Sequence, residues 1–271
     1  MTIPPLLCEH PETTILRRGY RAECGVCGSY WDLDSLATVE PYDENYPEKR
    51  GHFDPRVGAL KVRTLRHWLD KTKTDIAGKR VCEVGFGGGS CLALLAEKAA
   101  HVIGLEINDV AIAHVRESGV RAELLRVDRL APKLAAPVDL WLFQDSFEHI
   151  PDPSAFAGWM NANSHEGSEI LIVLPRGDSF SRRLLGRLWP HKLPDHQFQW
   201  SRAGVLDFFR RRGWSPRVEF FPLKFASPEM VVAHGLHKLG VRQQSAPSLG
   251  AKFALPINFG EMGLVLSRRR A

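Results

Sequence analysis

The stretch Glu83-Val84-Gly85-Phe86-Gly87-Gly88-Gly89 constrains this chain more than any other. An apolar run, Arg80–Val84, leads into it, and a helical pattern over Ser90–Ala99 leaves it. Glycines at such a junction let the backbone turn tightly and approach a ligand with no Cβ in the way. Strands and helices then alternate. His101–Leu105 reads as a strand ending in an acid, Glu106. Asp109 can cap a helix that ends near Gly119, and Ala122–Val127 is a strand ending at Asp128. Val138–Phe143 is a strongly apolar strand, Pro153–Asn163 a helix and Glu169–Leu174 a strand. Ser201 can cap a helix over Arg202–Arg212 with Gly213 in the stop position; Arg217–Phe221 and Met262–Ser267 supply two late strands. Upstream, Val57, Leu60, Leu65, Trp68 and Leu69 recur at helical spacing.

This alternation predicts a doubly wound α/β fold: a seven-stranded, mostly parallel sheet with helices on both faces. Ligands of such sheets sit beyond the carboxyl ends of the strands. Gly85–Gly89, Glu106, Asp128 and Asp145 all follow strand ends, so they are expected to converge on one cleft.

The glycine spacing discriminates between ligands. A dinucleotide fingerprint needs G-x-G-x-x-G, but the sixth position from Gly85 is Ser90. The pattern is G-x-G-x-G, preceded by Glu83 and followed 21 residues after Gly85 by Glu106. A pyrophosphate wants helix N–H groups and no nearby carboxylate. S-adenosylmethionine carries a sulfonium and an ammonium, which acidic neighbours suit. Glu106 can accept both ribose hydroxyls, and Asp128 can accept from an adenine amino group. The cofactor set is therefore Glu83, Gly85, Gly87, Gly89, Glu106, Asp128 and Asp145, with S-adenosylmethionine expected and NAD not.

Val81–Asn108 resembles the first two motifs of class I S-adenosylmethionine-dependent methyltransferases. Asp139–Pro153 resembles their fourth-strand motif. The likeness is to bacterial small-molecule members, in which a Glu-His pair (here Glu148-His149) and an Asp-Pro (here Asp152-Pro153) follow the strand. Ile170–Pro175, Gln197–Gly204 and Phe208–Trp214 resemble the same group, so the likeness runs from about Val57 to Phe221. It implies methyl transfer by direct displacement, with oxygen or nitrogen of a small-molecule metabolite as acceptor. A base is needed where the acceptor must lose a proton, and His149 and His196 are the candidates. Neither Asn/Asp-Pro-Pro-Tyr/Phe after the fourth strand nor a Pro-Cys pair occurs, so a nucleobase target is disfavoured.

Residues 1–40 form a separate cysteine-rich segment ahead of a methyltransferase domain over 41–271. They hold Cys8, Cys24 and Cys27 of the chain's five cysteines. An odd cysteine count argues against a disulfide framework. Cys8-x-His10 and Cys24-x-x-Cys27 supply a Cys₃His set suited to a structural zinc, and Gly25 and Gly28 permit the turn. Unliganded thiols in a loop are the alternative. Cys82 and Cys91 read as small buried hydrophobes.

Residues 176–200 and 223–260 interrupt the alternation and read as lid-like insertions. Net charge is only +5, so the arginines at 182, 183, 187, 210–212 and 268–270 read as solvated surface or as a rim that attracts an anionic substrate. No run is long enough to span a bilayer and the start lacks the features of a signal peptide. A cytoplasmic protein with no membrane partner is expected. Two other functions stay open: an RNA or protein methyltransferase docking through the zinc knuckle and basic stretches, and a non-catalytic cofactor-binding module.

Overall fold

In the computed structural model, residues 5–10, 15–36, 46–49, 51–130, 133–196, 198–229, 231–232 and 253–269 are described. The strands are β1 (Ile15–Arg18), β2 (Arg21–Cys24), β3 (Tyr30–Asp32), β4 (Arg80–Val84), β5 (His101–Glu106), β6 (Glu123–Arg126), β7 (Val138–Gln144), β8 (Ser164–Pro175), β9 (Phe198–Gln199), β10 (Trp214–Phe220), β11 (Lys224–Ala226), β12 (Leu255–Ile257) and β13 (Glu261–Arg268). The α-helices are α1 (Leu33–Leu36), α2 (Tyr46–Lys49), α3 (Pro55–Thr72), α4 (Ser90–Ala96), α5 (Asp109–Glu117), α6 (Pro153–Ala162), α7 (Phe180–Leu185) and α8 (Arg202–Arg210).

Seven strands form the main sheet in the order β10-β13-β8-β7-β4-β5-β6, as the alternation predicts. β4, β5 and β6 run parallel, as do β7 and β8, while β13 lies antiparallel to both β8 and β10. The apolar runs dictate this. Ile170 to Leu174 of β8 and Leu140 to Phe143 of β7 are wholly buried, as strands covered on both faces require.

Contacts divide the chain into two units. One holds 1–40, 131–220 and 260–271; the other holds 41–130 and 221–259. In the second, Asp54 caps α3 by accepting from Arg56 N at 2.8 Å, and Pro55 supplies the first-turn residue. The sequence assigns the α5 cap to Asp109, but Asn108 performs it, accepting from Ala111 N at 3.1 Å; Asp109 is the first helical residue. That is one residue of displacement between two residues that both cap well. β8 also begins at Ser164, five residues before the expected Glu169. The polar residues 164–168 hid it, because this end of the strand is mostly exposed.

A second sheet was not visible in the sequence. Its order is β1-β2-β3-β9, so the two-residue strand Phe198–Gln199 from the expected 176–200 insertion completes the N-terminal hairpins. Of the other insertion, β11 and β12 pair with each other, and residues 230 and 233–252 lie outside the described residues. No helix among the described residues is long and apolar enough to cross a membrane.

Candidate active site and metal knuckle

The glycine loop sits in the second unit. Gly85, Gly87 and Gly89 all adopt positive φ. Gly89 is also the cap residue of α4, and a Cβ there would lie 2.4 Å from Val115 Cγ2 on α5. Both conformation and packing exclude any other residue. Gly85 N donates to Leu105 O at 2.8 Å, which ties the loop to the end of β5.

At that end Glu106 turns its carboxylate onto the loop. Oε2 accepts from Gly87 N at 2.9 Å, and Oε1 accepts from Ile107 N at 2.8 Å and Asn108 N at 3.2 Å. A carboxylate oxygen has two lone pairs, so Oε2 keeps one for a ligand hydroxyl. Glu83 is buried in β4, just ahead of Gly85 in the chain. Two acids at a loop of backbone N–H groups suit a ligand that carries both hydroxyls and positive charge. Asp128 differs: it is exposed and held bidentate by Arg126 at 2.8 and 2.9 Å, which keeps its carboxyl below the usual range.

Sequence reasoning missed His52. A Cβ on Gly88 would lie 1.9 Å from His52 O, and one on Gly87 2.9 Å from His52 Nδ1. Phe53 follows, its ring 4.2 Å from that of His114. The one available signal was the position of Gly51-His52-Phe53 directly before a capped helix.

The first unit holds the remaining expected residues. Asp145 leaves β7 with φ 51°, and its N–H donates to Val173 O at 2.9 Å. The next turn, Phe147–His149, is anchored by buried Phe147, whose ring packs 5.2–5.7 Å from those of Phe143, Trp200, Phe208 and Phe209. This anchor sets His149 opposite His196, with ring centroids 4.7 Å apart. Glu148, His149 and His196 offer ligand atoms within 4.8 Å of one another, and Glu148 and His196 are buried. His191 stacks 6.1 Å from His196 and meets the buried Glu261 carboxylate at 2.9 Å.

Cys8, His10, Cys24 and Cys27 also come together, their ligand atoms within 4.8 Å of one another. Gly28, at φ 76°, donates to Cys24 O at 2.9 Å and closes the turn between the last two. A hydrogen bond between Cys8 and Cys27 lowers the Cys27 thiol pKa and, together with burial, raises that of Cys8. His10 Nε2 lies 3.3 Å from Asp207, while its Nδ1 is buried with no hydrogen-bond partner among the described residues. A histidine gathered with three thiols, with a carboxylate on one ring nitrogen, fits metal ligation.

The basic stretches divide: Arg183, Arg187, Arg210 and Arg211 are exposed, as expected of solvated surface. Arg182 is buried, and Arg211 and Arg212 bind Cys8 O and Glu9 at 2.6 and 2.5 Å. Glu9 lies next to Cys8 in the chain, so these arginines hold the knuckle.

Residues 58–218 match the profile of a family described as "Methyltransferase domain". A ubiquinone biosynthesis O-methyltransferase of Hahella chejuensis is 26% identical over 222 residues, spanning 71% of this chain and 89% of that protein. A protein of the same description from Pseudomonas fluorescens is 29% identical over 132 residues; the match spans 46% of this chain and only 55% of that protein. Among solved structures, an S-adenosylmethionine-dependent methyltransferase of Mesorhizobium loti shares the fold with TM-score 0.52 at 15% identity, covering 77% of this chain and all of that one. Magnesium protoporphyrin IX methyltransferase of Synechocystis, solved with bound S-adenosylhomocysteine, gives 0.50 at 16% identity, covering 87% and 94%.

Proposed function

We propose, from the premise that this chain belongs to the class I S-adenosylmethionine-dependent methyltransferases, that it methylates an oxygen of a small-molecule metabolite. The observation that carries the reading is the His149–His196 pair, 4.7 Å apart beside buried Glu148, at the turn that follows β7. The Hahella relative's description supports oxygen over nitrogen as the acceptor atom.

The roles assigned to the residues follow from their chemistry. Glu106 would accept from a ribose hydroxyl through the remaining lone pair of Oε2, and the glycine loop would let the cofactor approach the backbone. Glu83 and Asp145 would favour its positive charge. Asp128, engaged by Arg126, takes a lesser part. S-adenosylmethionine, when bound, supplies a methyl carbon already activated for displacement. The protein's own task is then to position the acceptor and to take its proton. One imidazole of the pair accepts that proton as the oxygen gains its methyl group, and the second imidazole with Glu148 holds the charge that results.

Zinc belongs to the same reading: Cys8, Cys24 and Cys27 as thiolates and His10 through Nδ1, with Asp207 orienting the ring. The alternative of RNA or protein docking through the knuckle loses support from Arg211 and Arg212, which are engaged within the fold.

The test is a labelled-methyl assay over a panel of phenols, catechols and amines, followed by His149→Ala and His196→Ala. Loss of a base should lower turnover by about 10²–10⁴-fold while affinity for S-adenosylhomocysteine stays unchanged. Near-normal rates in both variants would remove the histidines from the reaction.

A further inference from the structure

A surface helix ordinarily turns its apolar side chains inward and its cations outward. Helix α7 departs from this at Arg182, which it buries, and at Phe180 and Leu184, which it exposes. Arg182 is 1% exposed, lodged against Tyr20, Tyr30 and Trp189, and donates to both tyrosine hydroxyls and to Gly186 O. Phe180 and Leu184 are 78% and 71% exposed. They stand four residues apart and share one face. Leu188, in the short helical turn that follows, is 50% exposed. Exposed Arg183 and Arg187 are interspersed with them.

The orientation is fixed on the buried side. The side chain of Ser179 caps the helix by accepting from Arg182 N, and the Arg182 guanidinium is held by three acceptors. Rotating the helix to hide Phe180 and Leu184 would leave the arginine's site empty and expose a cation-binding aromatic pocket. The apolar residues are therefore presented outward by the same contacts that bury the arginine.

We infer that this face docks peripherally on an anionic lipid surface, with Phe180, Leu184 and Leu188 entering the acyl boundary and Arg183 and Arg187 meeting the headgroups. Charge complementarity selects this occupant. Apolar anchors flanked by arginines are what an interfacial helix needs, and the chain's net charge of +5 adds long-range attraction. One carboxylate competes: Asp34 lies 3.5 Å from Arg187, whose side chain stays 73% exposed. A second copy of the chain is disfavoured on two grounds. A two-fold contact would bring together two copies of the same arginine-bearing face, with like charge on both sides. A stable dimer also needs about 20–30 residues a side, far more than this segment provides. The expectation of no membrane partner rested on the lack of a spanning stretch, which peripheral docking does not need. Nor does such docking depend on the acceptor chemistry proposed above.

The experiment is co-sedimentation of the full chain with vesicles of phosphatidylcholine, alone or with about 30% phosphatidylglycerol, at low and high salt. Binding to the anionic vesicles, weakened by salt, is expected. The double variant Phe180→Ser/Leu184→Ser should weaken it by at least about tenfold, and Arg183→Glu by at least about fivefold. Calorimetry with S-adenosylhomocysteine on the same preparations reports the methyltransferase reading separately, since it needs no vesicle. Failure of the wild-type chain to sediment with anionic vesicles would overturn the inference. So would equal binding to both vesicle types, unaltered binding by the variants, or a dimer that the serine variant abolishes.

Discussion

The glycine loop and the cysteine–histidine region prepare ligand positions in opposite ways. The loop is local: Glu83 to Glu106 span one strand–loop–helix–strand run, and backbone N–H groups with one carboxylate do the positioning. The other region is assembled from distant segments. Ser201 Oγ donates to Cys27 O at 2.5 Å, Ser201 N donates to Ser29 Oγ at 3.0 Å, and a Cβ on Gly204 would lie 2.2 Å from Ser29 Oγ. Ser201 also caps α8 and follows β9, which pairs with β3. The segment that carries His196 is thus fastened to the knuckle at both its strand and its helix cap. A local site depends on conformation at a few glycines; an assembled one depends on whatever holds its pieces together.

The largest expected effect follows from that dependence. Cys24→Ser should release the proposed zinc and lower stability by about 3 kcal/mol or more, because metal binding and folding are coupled. Metal analysis and denaturant melts give stoichiometry and magnitude. Hydrogen exchange sharpens the comparison: protection at Gln199 and Ser201–Gly204 should fall while Gly85 keeps its own. Equal loss at both places would erase the distinction between the regions.

Next is the local side. Gly89→Ala meets both a positive φ of 75° and Val115 Cγ2 at 2.4 Å, and should cost about 2–4 kcal/mol. Adding Val115→Ala relieves the clash but not the backbone strain. Partial recovery in a thermal melt is therefore expected, and full recovery would mean that packing alone demands the glycine.

What the sequence disclosed follows the same division. The bounds of β4 are legible to the residue, because its apolar run ends at glycines. The seven-stranded sheet followed from periodicity. The Cys₃His set was legible as types and spacing, yet nothing in the sequence revealed that Phe198–Gln199 would join the N-terminal sheet; two residues carry no periodicity. Arg182 reads as surface because charge alone predicts solvent, whereas Tyr20 and Tyr30, more than 150 residues away, supply two of its hydrogen bonds. His52 was missed because close backbone packing leaves no composition signal.

The smallest effect lies outside both regions. His165 pairs with Asp139 at 2.7 Å and with Glu166 O at 2.6 Å, and these contacts, the Asp139 bond first, raise its pKa above the ordinary value; partial burial and then Arg268 oppose them. A raised native pKa contributes stability in full below the unfolded value, and that stability is lost as pH rises through the folded one. His165→Ala should therefore be more destabilising near pH 5.5 than near pH 9, by only about a few tenths of a kcal/mol because the pair is solvent-screened. Melts at the two pH values check the sign. Equal destabilisation at both would mean that the ring acts through packing.

The central claim is that Glu106 and the glycine loop hold S-adenosylmethionine. Calorimetry of S-adenosylhomocysteine with wild type and Glu106→Gln tests it most directly. The variant removes the charge, and its single amide oxygen can replace only one carboxylate oxygen, so either Gly87 N or the Ile107 and Asn108 N–H pair loses its acceptor. Wild type should bind S-adenosylhomocysteine and not NAD, and the variant should bind more weakly by about 1–3 kcal/mol. Unchanged affinity in Glu106→Gln, or NAD binding with no response to S-adenosylhomocysteine, would contradict the account.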